Sequence, residues 1–152
     1  MVDTHLISLL RQDGRITLTD LSKRTGIPVS TLFDRLRAAR ASGLIRRFTL
    51  LPSYEQLGYM SRAYVILKAK KENREELRSY LSLHPAINTL FRINNGFDFL
   101  FEAICKNMQE MENFLEELER RFHSKHTAYY LLESIAEEQF LASGILDSKL
   151  EV

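Results

Sequence analysis

The chain has 152 residues, of which 45% are hydrophobic and 27% charged, a composition typical of folded domains and unlike that of a disordered chain. No apolar run is long enough to cross a bilayer, and the start, MVDTHLISLL, lacks the basic region and cleavage site of a signal peptide. The single cysteine, Cys105, excludes an internal disulfide framework and favours a reducing compartment, so we expect a cytoplasmic location.

Charge is distributed unevenly along the chain, although the net charge is only +1. Residues 1–50 carry nine Lys or Arg and four Asp, a net charge of +5, whereas the remainder carries 12 basic and 16 acidic side chains, a net charge of −4. A basic segment attracts polyanions and an acidic one repels them. The asymmetry therefore predicts a polyanionic partner for the first third only.

Two helices are predicted at the start of the chain. Asp3 is a good N-cap for the first, in which apolar residues recur at helical spacing until Gly14 ends it. Thr17 and Asp20 have the spacing of a capping box, which opens the second helix. Gly26 favours the left-handed conformation of a helix C-cap, so this helix is expected to be short.

A third helix is predicted to follow Pro28, which is tolerated in a first helical turn, and to end at Ser42-Gly43. The two helices around Gly26 have the spacing of a helix-turn-helix over about residues 18–37. In that motif the second helix enters the major groove of DNA and its first residues contact base edges. The side chains predicted to do so are Ser30, Thr31 and Asp34.

The segment LIRRFTLL, residues 44–51, is rich in β-forming residues and predicts a strand that would serve as a wing beside the DNA. Basic side chains on the third helix and on this strand would bind mainly phosphates. These side chains are Arg35, Arg37, Arg46 and Arg47.

A second domain is predicted after a linker at 51–59. Its elements alternate between strands and amphipathic helices in the order βαββαβ, which is typical of a ferredoxin-like domain over 60–152. The fold class is therefore α+β, with an N-terminal winged helix-turn-helix domain at 1–50. The predicted strands are 60–70, 86–93, 97–105 and 126–135, and the predicted helices are 72–84 and 108–122.

One face of the predicted sheet would lack helices. Alternating apolar residues in MSRAYVILKAK and FDFLFEAIC would lie on it, and a second copy of the chain is the simplest cover. The pattern therefore predicts a homodimer, which matches a palindromic DNA site.

The stretches DGRITLTDLSKRTG, ASGLIRR, LPSYEQLGY and NNGFDFLFE resemble the Lrp/AsnC, or feast/famine, transcription regulators, and they occur in that family's order over almost the whole chain. The resemblance implies a regulator of transcription that binds duplex DNA. It also implies dimers that assemble into larger rings, and often an amino-acid effector bound between subunits.

The turn between the second and third predicted strands is the candidate effector site. Turn residues leave backbone N–H groups that can hold a carboxylate, and Asp98 could hold an ammonium group. The candidate residues are Asn94, Asn95, Gly96 and Asp98.

Two alternatives stay open from the sequence. NGFDFLF partly matches the aromatic signature of an RNA-recognition motif, although Asn95, Asp98 and Glu102 do not fit it. Sirohaem decarboxylases resemble the same two-domain architecture, so the fold alone does not exclude an enzyme. His123 and His126 lack a third metal ligand nearby and Cys105 lacks a base, so we expect no catalysis, no metal and no cofactor.

Overall fold

The computed structural model describes residues 3–142, which form two compact units by their contacts. One unit comprises residues 3–51 together with 135–142, and the other is Pro52–Ser134. The sequence interpretation assigned all of 60–152 to the second domain, and the last part of that range, 143–152, lies outside the described residues. No helix within 3–142 is long and apolar enough to cross a membrane.

Three helices form the N-terminal unit: α1 (Thr4–Gln12), α2 (Leu18–Thr25) and α3 (Val29–Ala41). The predicted caps are present, because Asp3 accepts a hydrogen bond from the Leu6 amide at 3.0 Å and Thr17 accepts one from the Asp20 amide at 3.1 Å. Gly26 adopts φ +70° and ends α2 in the left-handed conformation, where a side chain would be strained. The helix-turn-helix is therefore built as its local sequence predicts.

The core of this unit is small. Within its described residues, 3–51 and 135–142, four leucines are buried, with partly buried side chains such as Ile16 and Leu36 packed against them. Leu21 of α2 and Leu32 of α3 are completely buried, so they are the residues that hold the two helices of the motif together. The four leucines are Leu6, Leu9, Leu21 and Leu32.

The strand predicted at 44–51 is wrong. These residues form no strand, and most of their side chains are exposed, including Leu50 and Leu51. A strand needs a neighbour to satisfy its backbone N–H and C=O groups, and no described segment pairs with this one. Ile45 is hydrogen-bonded to the end of α3, because Gly43 turns the chain with φ +79° and the Ile45 amide then donates to the Ala39 carbonyl at 3.0 Å.

The segment 135–142 belongs to the N-terminal unit because Arg11 of α1 holds it. The Arg11 Nε donates to the Phe140 carbonyl at 3.0 Å, and its Nη2 donates to the Glu138 carbonyl at 2.8 Å. The same Nη2 lies 2.9 Å from the Glu138 carboxylate. One side chain thus makes three contacts with a segment more than a hundred residues away in sequence.

The second unit is a four-stranded antiparallel sheet with two helices, and the predicted ferredoxin-like order is confirmed. The sheet has the strand order β2-β3-β1-β4. The elements are β1 (Ser61–Lys68), α4 (Arg74–Leu83) after a 3-10 turn at Lys71–Asn73, β2 (Ile87–Arg92), β3 (Phe99–Cys105), α5 (Met108–Phe122) and β4 (Lys125–Tyr130).

The last strand is shorter than predicted, since β4 ends at Tyr130 and not at 135. Its partner β1 starts at Ser61, so little backbone is left to pair with beyond Tyr130, which lies opposite Ala63. The Leu131 amide still donates to the Arg62 carbonyl at 2.9 Å. Leu132 is then 97% exposed, and the strand does not continue.

The two faces of the sheet differ in what covers them. On one face Phe99 and Phe101 of β3 are buried in a core with both helices. Residues between them point the other way, because strand side chains alternate. That open face has no helix of this unit on it, and Leu100 lies there between Ile66 of β1 and Phe91 of β2 in the strand register.

Candidate DNA interface and effector cleft

The exposed side of α3 presents a stripe of side chains spaced three or four residues apart, which places them on one helical face. Its members are Ser30, Phe33, Asp34 and Arg37, and we call them the outward stripe. The Arg37 Nη2 lies 3.4 Å from an Asp34 carboxylate oxygen, and the guanidinium lies 6.0 Å from the centre of the Phe33 ring. Asp34 and Phe33 are therefore the neighbours of the Arg37 guanidinium within the stripe.

Phe33 is the member of the outward stripe that the sequence analysis did not name. It is 54% exposed on a helix whose apolar residue Leu32 is completely buried. Its position three residues after Ser30 and one before Asp34 puts it on the polar face, and that mismatch was the available signal. Thr31 is also exposed, as predicted for a side chain near the helix start.

The predicted phosphate-binding arginines differ in how free they are. Arg35 forms a 2.8 Å ion pair with Asp3, so it ties α3 to the start of α1 while its side chain stays about half exposed. Arg46 and Arg47 are exposed and make no hydrogen bond or ion pair with any residue in the described part of the chain. These two arginines keep their full capacity for an external anion.

The hairpin between β2 and β3 has the predicted turn chemistry. Asn95 and Gly96 both have positive φ, at 61° and 86°, and both are exposed along with Asn94. Asp98 lies just after the turn and is already engaged. One of its carboxylate oxygens accepts from the Ala69 amide at 2.9 Å, and the other lies 2.8 Å from the Arg74 Nε in an ion pair without hydrogen-bond alignment.

Beside Asp98 lies a cleft of about 280 Å³, between the first turns of α4 and the edge strand β2. Of the four predicted effector residues, only Asp98 lines it; Asn94, Asn95 and Gly96 stand outside. We call it the arginine cleft, and the residues that define it are Arg74, Glu75, Arg78, Leu90, Arg92, Asp98 and Phe99.

The side chains needed by the two alternative functions are placed unfavourably. Phe99 and Phe101 face the helical core and so cannot stack on RNA bases. Burial raises the pKa of the Cys105 thiol, which lowers its thiolate fraction. His123 caps α5 with positive φ and His126 lies 3.0 Å from Glu119, and within residues 3–142 no group of His, Cys, Asp and Glu could hold a metal.

Comparison with known proteins matches both units. A family model for winged helix-turn-helix DNA-binding domains matches residues 2–46, and one for the Lrp/AsnC ligand binding domain matches residues 62–137. The HTH-type transcriptional regulator FL11 of Pyrococcus horikoshii is 34% identical over 115 residues, which are 76% of this chain and 76% of that protein. FL11 of Pyrococcus furiosus is 33% identical over the same shares of the two chains.

Solved structures show the same fold at lower identity. LrpC of B. subtilis superposes with a TM-score of 0.82 at 19% identity, covering 90% of this chain and 96% of that one. A transcriptional regulator of Neisseria meningitidis, solved as an L-Met complex, has a TM-score of 0.82 at 21% identity and covers 90% and 93%. Together with a DNA-binding helix-turn-helix unit and a ligand-binding ferredoxin-like unit, these matches show that the chain belongs to the Lrp/AsnC family of transcriptional regulators.

Proposed function

We propose that this regulator recognises its DNA sites through the outward stripe of α3 together with Thr31. The observation that carries the proposal is the position of the stripe, on the exposed face of the second helix of a helix-turn-helix in the basic part of the chain. Asp34 can accept from a cytosine amine, and the exposed Phe33 ring can contact a thymine methyl group. Ser30 and Thr31 supply hydroxyl groups that bond to either kind of base edge.

Phosphate binding falls mainly to Arg46 and Arg47, which have no partner in the described chain. Arg35 adds its charge from the side while it holds Asp3. Arg37 can contact either a phosphate or a base edge, because its guanidinium lies beside Asp34 and Phe33 within the stripe. Phosphate contacts fix the protein on the duplex and base contacts choose the sequence, so the two sets should respond differently to substitution.

Replacing Arg46 and Arg47 together with alanine is expected to weaken binding to all sequences alike. Each lost phosphate contact removes about one unit from the slope of log affinity against log salt concentration, so the slope should fall by about two units. Gel-shift titrations at several salt concentrations measure this. Arg120→Ala is the matched control, because Arg120 is an exposed arginine on α5, outside the helix-turn-helix unit.

The contrasting variant is Phe33→Ala. It removes no charge, so the salt slope should stay unchanged while the base preference at one position of a selected site is relaxed. If Arg46→Ala/Arg47→Ala altered the preferred sequence and left the slope intact, the division between the two sets would be wrong.

We also propose that the open sheet face joins two copies into a homodimer and that dimers assemble into a larger ring. Leu100, Ile66 and Phe91 form an apolar row across this face, and a two-fold axis would place the same row of a second copy against it. A dimer would present two α3 helices to two half-sites. In this role the protein acts as a cytoplasmic regulator and not as an enzyme.

The proposed effector is an amino acid, bound at the hairpin residues Asn94, Asn95 and Gly96 and beside Asp98. Two structural neighbours support the ligand class: the Neisseria regulator was solved with L-Met, and a feast or famine regulatory protein from M. tuberculosis was solved with L-methionine. Asp98 connects the two places, because it follows the hairpin turn and lines the arginine cleft.

Calorimetric titration of the full chain with the twenty amino acids is expected to show saturable binding of at least one. Its presence should change DNA affinity by about 5- to 150-fold, the usual range of coupling between two sites. Gly96→Ala should weaken this binding, because a side chain at φ +86° distorts the hairpin.

Gly58→Ala is the control for that experiment, since Gly58 has φ +85° in the same unit with nothing near its added methyl group. Both variants carry a similar backbone strain, of about 1–2 kcal/mol. Equal binding by the two variants would move the site away from the hairpin, and no binding by any amino acid would refute the amino-acid effector.

A further inference from the structure

The charges that line the arginine cleft do not balance. Arg74 is paired with Asp98 at 2.8 Å, and Arg78 lies 3.6 Å from Glu75. The Arg92 side chain makes no hydrogen bond, ion pair or ring contact with any residue of the described chain, although it lines the same cleft. One positive charge is therefore left without an internal counter-ion.

Arg92 is held in place by its strand. It lies opposite Phe99 in the β2–β3 register, and Phe99 is buried on the helical side of the sheet. Cross-strand partners point to the same face, so Arg92 projects toward α4 and its arginines. A guanidinium offers a planar fork of donors that matches the two oxygens of a carboxylate.

Asp98 is poorly available for the ammonium group of a ligand. Its two carboxylate oxygens already face the Ala69 amide and Arg74, and its side chain is only 14% exposed. A ligand entering the cleft would meet the positive charges of Arg74, Arg78 and Arg92 and the negative charges of Asp98 and Glu75. Three positive and two negative side chains leave the lining with a net charge of +1, which favours an anion over an ammonium group.

We infer that the arginine cleft binds a small carboxylate through Arg92 and does not require an α-amino group. This assignment rests on the proposed effector function and narrows its ligand class. A volume of about 280 Å³ is at the small end for ligand sites, and Leu90 and Phe99 give the cleft an apolar side. The fitting class is a short carboxylic acid, with 2-oxo acids and dicarboxylates accepted alongside acidic amino acids.

The experiment compares ligands that differ in one group. The full chain is titrated calorimetrically with glutamate, 2-oxoglutarate and lysine, and with inorganic phosphate at equal ionic strength. We expect 2-oxoglutarate to bind within about 5-fold of glutamate, lysine to bind at least 10-fold more weakly, and phosphate to give no comparable signal. Arg92→Gln should weaken carboxylate binding about 10-fold or more, as the loss of a charge-assisted hydrogen bond does, whereas Arg120→Gln should not.

Asp98→Asn should change glutamate affinity in opposite directions for the two kinds of site. One kind holds only the ligand's carboxylate, and in the other Asp98 holds the ligand's ammonium group. Asparagine keeps an acceptor for the Ala69 amide but removes a negative charge, so carboxylate affinity should rise or stay equal. If Asp98 held a ligand ammonium, affinity would fall. Thermal denaturation confirms that each variant is folded.

The outcomes separate the two proposals. Any of three results would overturn the carboxylate assignment while an effector function stands. They are preferential binding of a cationic amino acid, a response to phosphate equal to that to 2-oxoglutarate, and carboxylate binding that is unchanged in Arg92→Gln. Binding of 2-oxo acids without any amino acid would support the assignment and refute the amino-acid effector. No binding by any ligand would refute both.

Discussion

Leu32→Ala is expected to unfold the DNA-binding unit and abolish DNA binding. Leu32 is completely buried where α3 packs on α2, and among the described residues of that unit four leucines form the buried core. A Leu→Ala change at such a site costs about 2–5 kcal/mol, because the lost contacts leave a cavity. A core of this size rarely supplies more than about 3–5 kcal/mol in total, so the substitution removes most of the unit's stability.

The measurement is circular dichroism during urea unfolding, with gel shifts on the same samples. Leu50→Ala is the matched control, because Leu50 lies in the same unit but is 74% exposed. It should change the free energy of unfolding by less than about 0.5 kcal/mol. A Leu32→Ala protein that unfolds like the parent, or that keeps its DNA affinity, would show that these four leucines do not hold the motif together.

Leu100→Glu is expected to convert the proposed dimer into a monomer and to lower DNA affinity by about 100-fold or more. Leu100 lies at the centre of the apolar row on the open face, beside the buried Glu102 two residues along the strand. A new carboxylate there would be desolvated by the second copy and would meet its own image across the two-fold axis. Monomers would then bind half-sites separately and lose the gain of linked binding.

Light scattering after size-exclusion chromatography gives the oligomeric state, and gel shifts give the affinity. Leu83→Glu is the control, since Leu83 is 85% exposed at the end of α4 on the helical side of the sheet. A Leu100→Glu protein that stays dimeric would place the interface elsewhere. A parent protein that is monomeric at micromolar concentration would remove the dimer altogether.

The helix-turn-helix was predictable because its requirements are local. Thr17 caps the amide three residues ahead, and Gly26 supplies the backbone conformation that ends α2. Both roles follow from the residue type alone. The sheet was predictable for a similar reason, since alternation in β1 and β3 fixes which side chains face the helices.

The parts that failed depend on distant partners. Residues 44–51 are rich in β-forming side chains, yet a strand exists only where another strand pairs with it. The sequence alone does not show whether such a partner strand exists. The same holds for charges. Arg35 and Arg92 look alike in the sequence, but Asp3 pairs with Arg35 and nothing in the described chain pairs with Arg92. Which arginine is free for a ligand is a tertiary property.

The hold of Arg11 on Glu138 and Phe140 makes the DNA-binding unit discontinuous along the gene. The sheet unit is in effect an insertion between two segments that fold together. A recombination event that exchanged only residues 3–51 between related regulators would bring in a new first helix. The residue at position 11 of that helix would then have to fit the original 135–142 segment. A change of DNA specificity therefore preserves the Arg11 contacts most readily when both segments are inherited together, or when only the few residues of the outward stripe change.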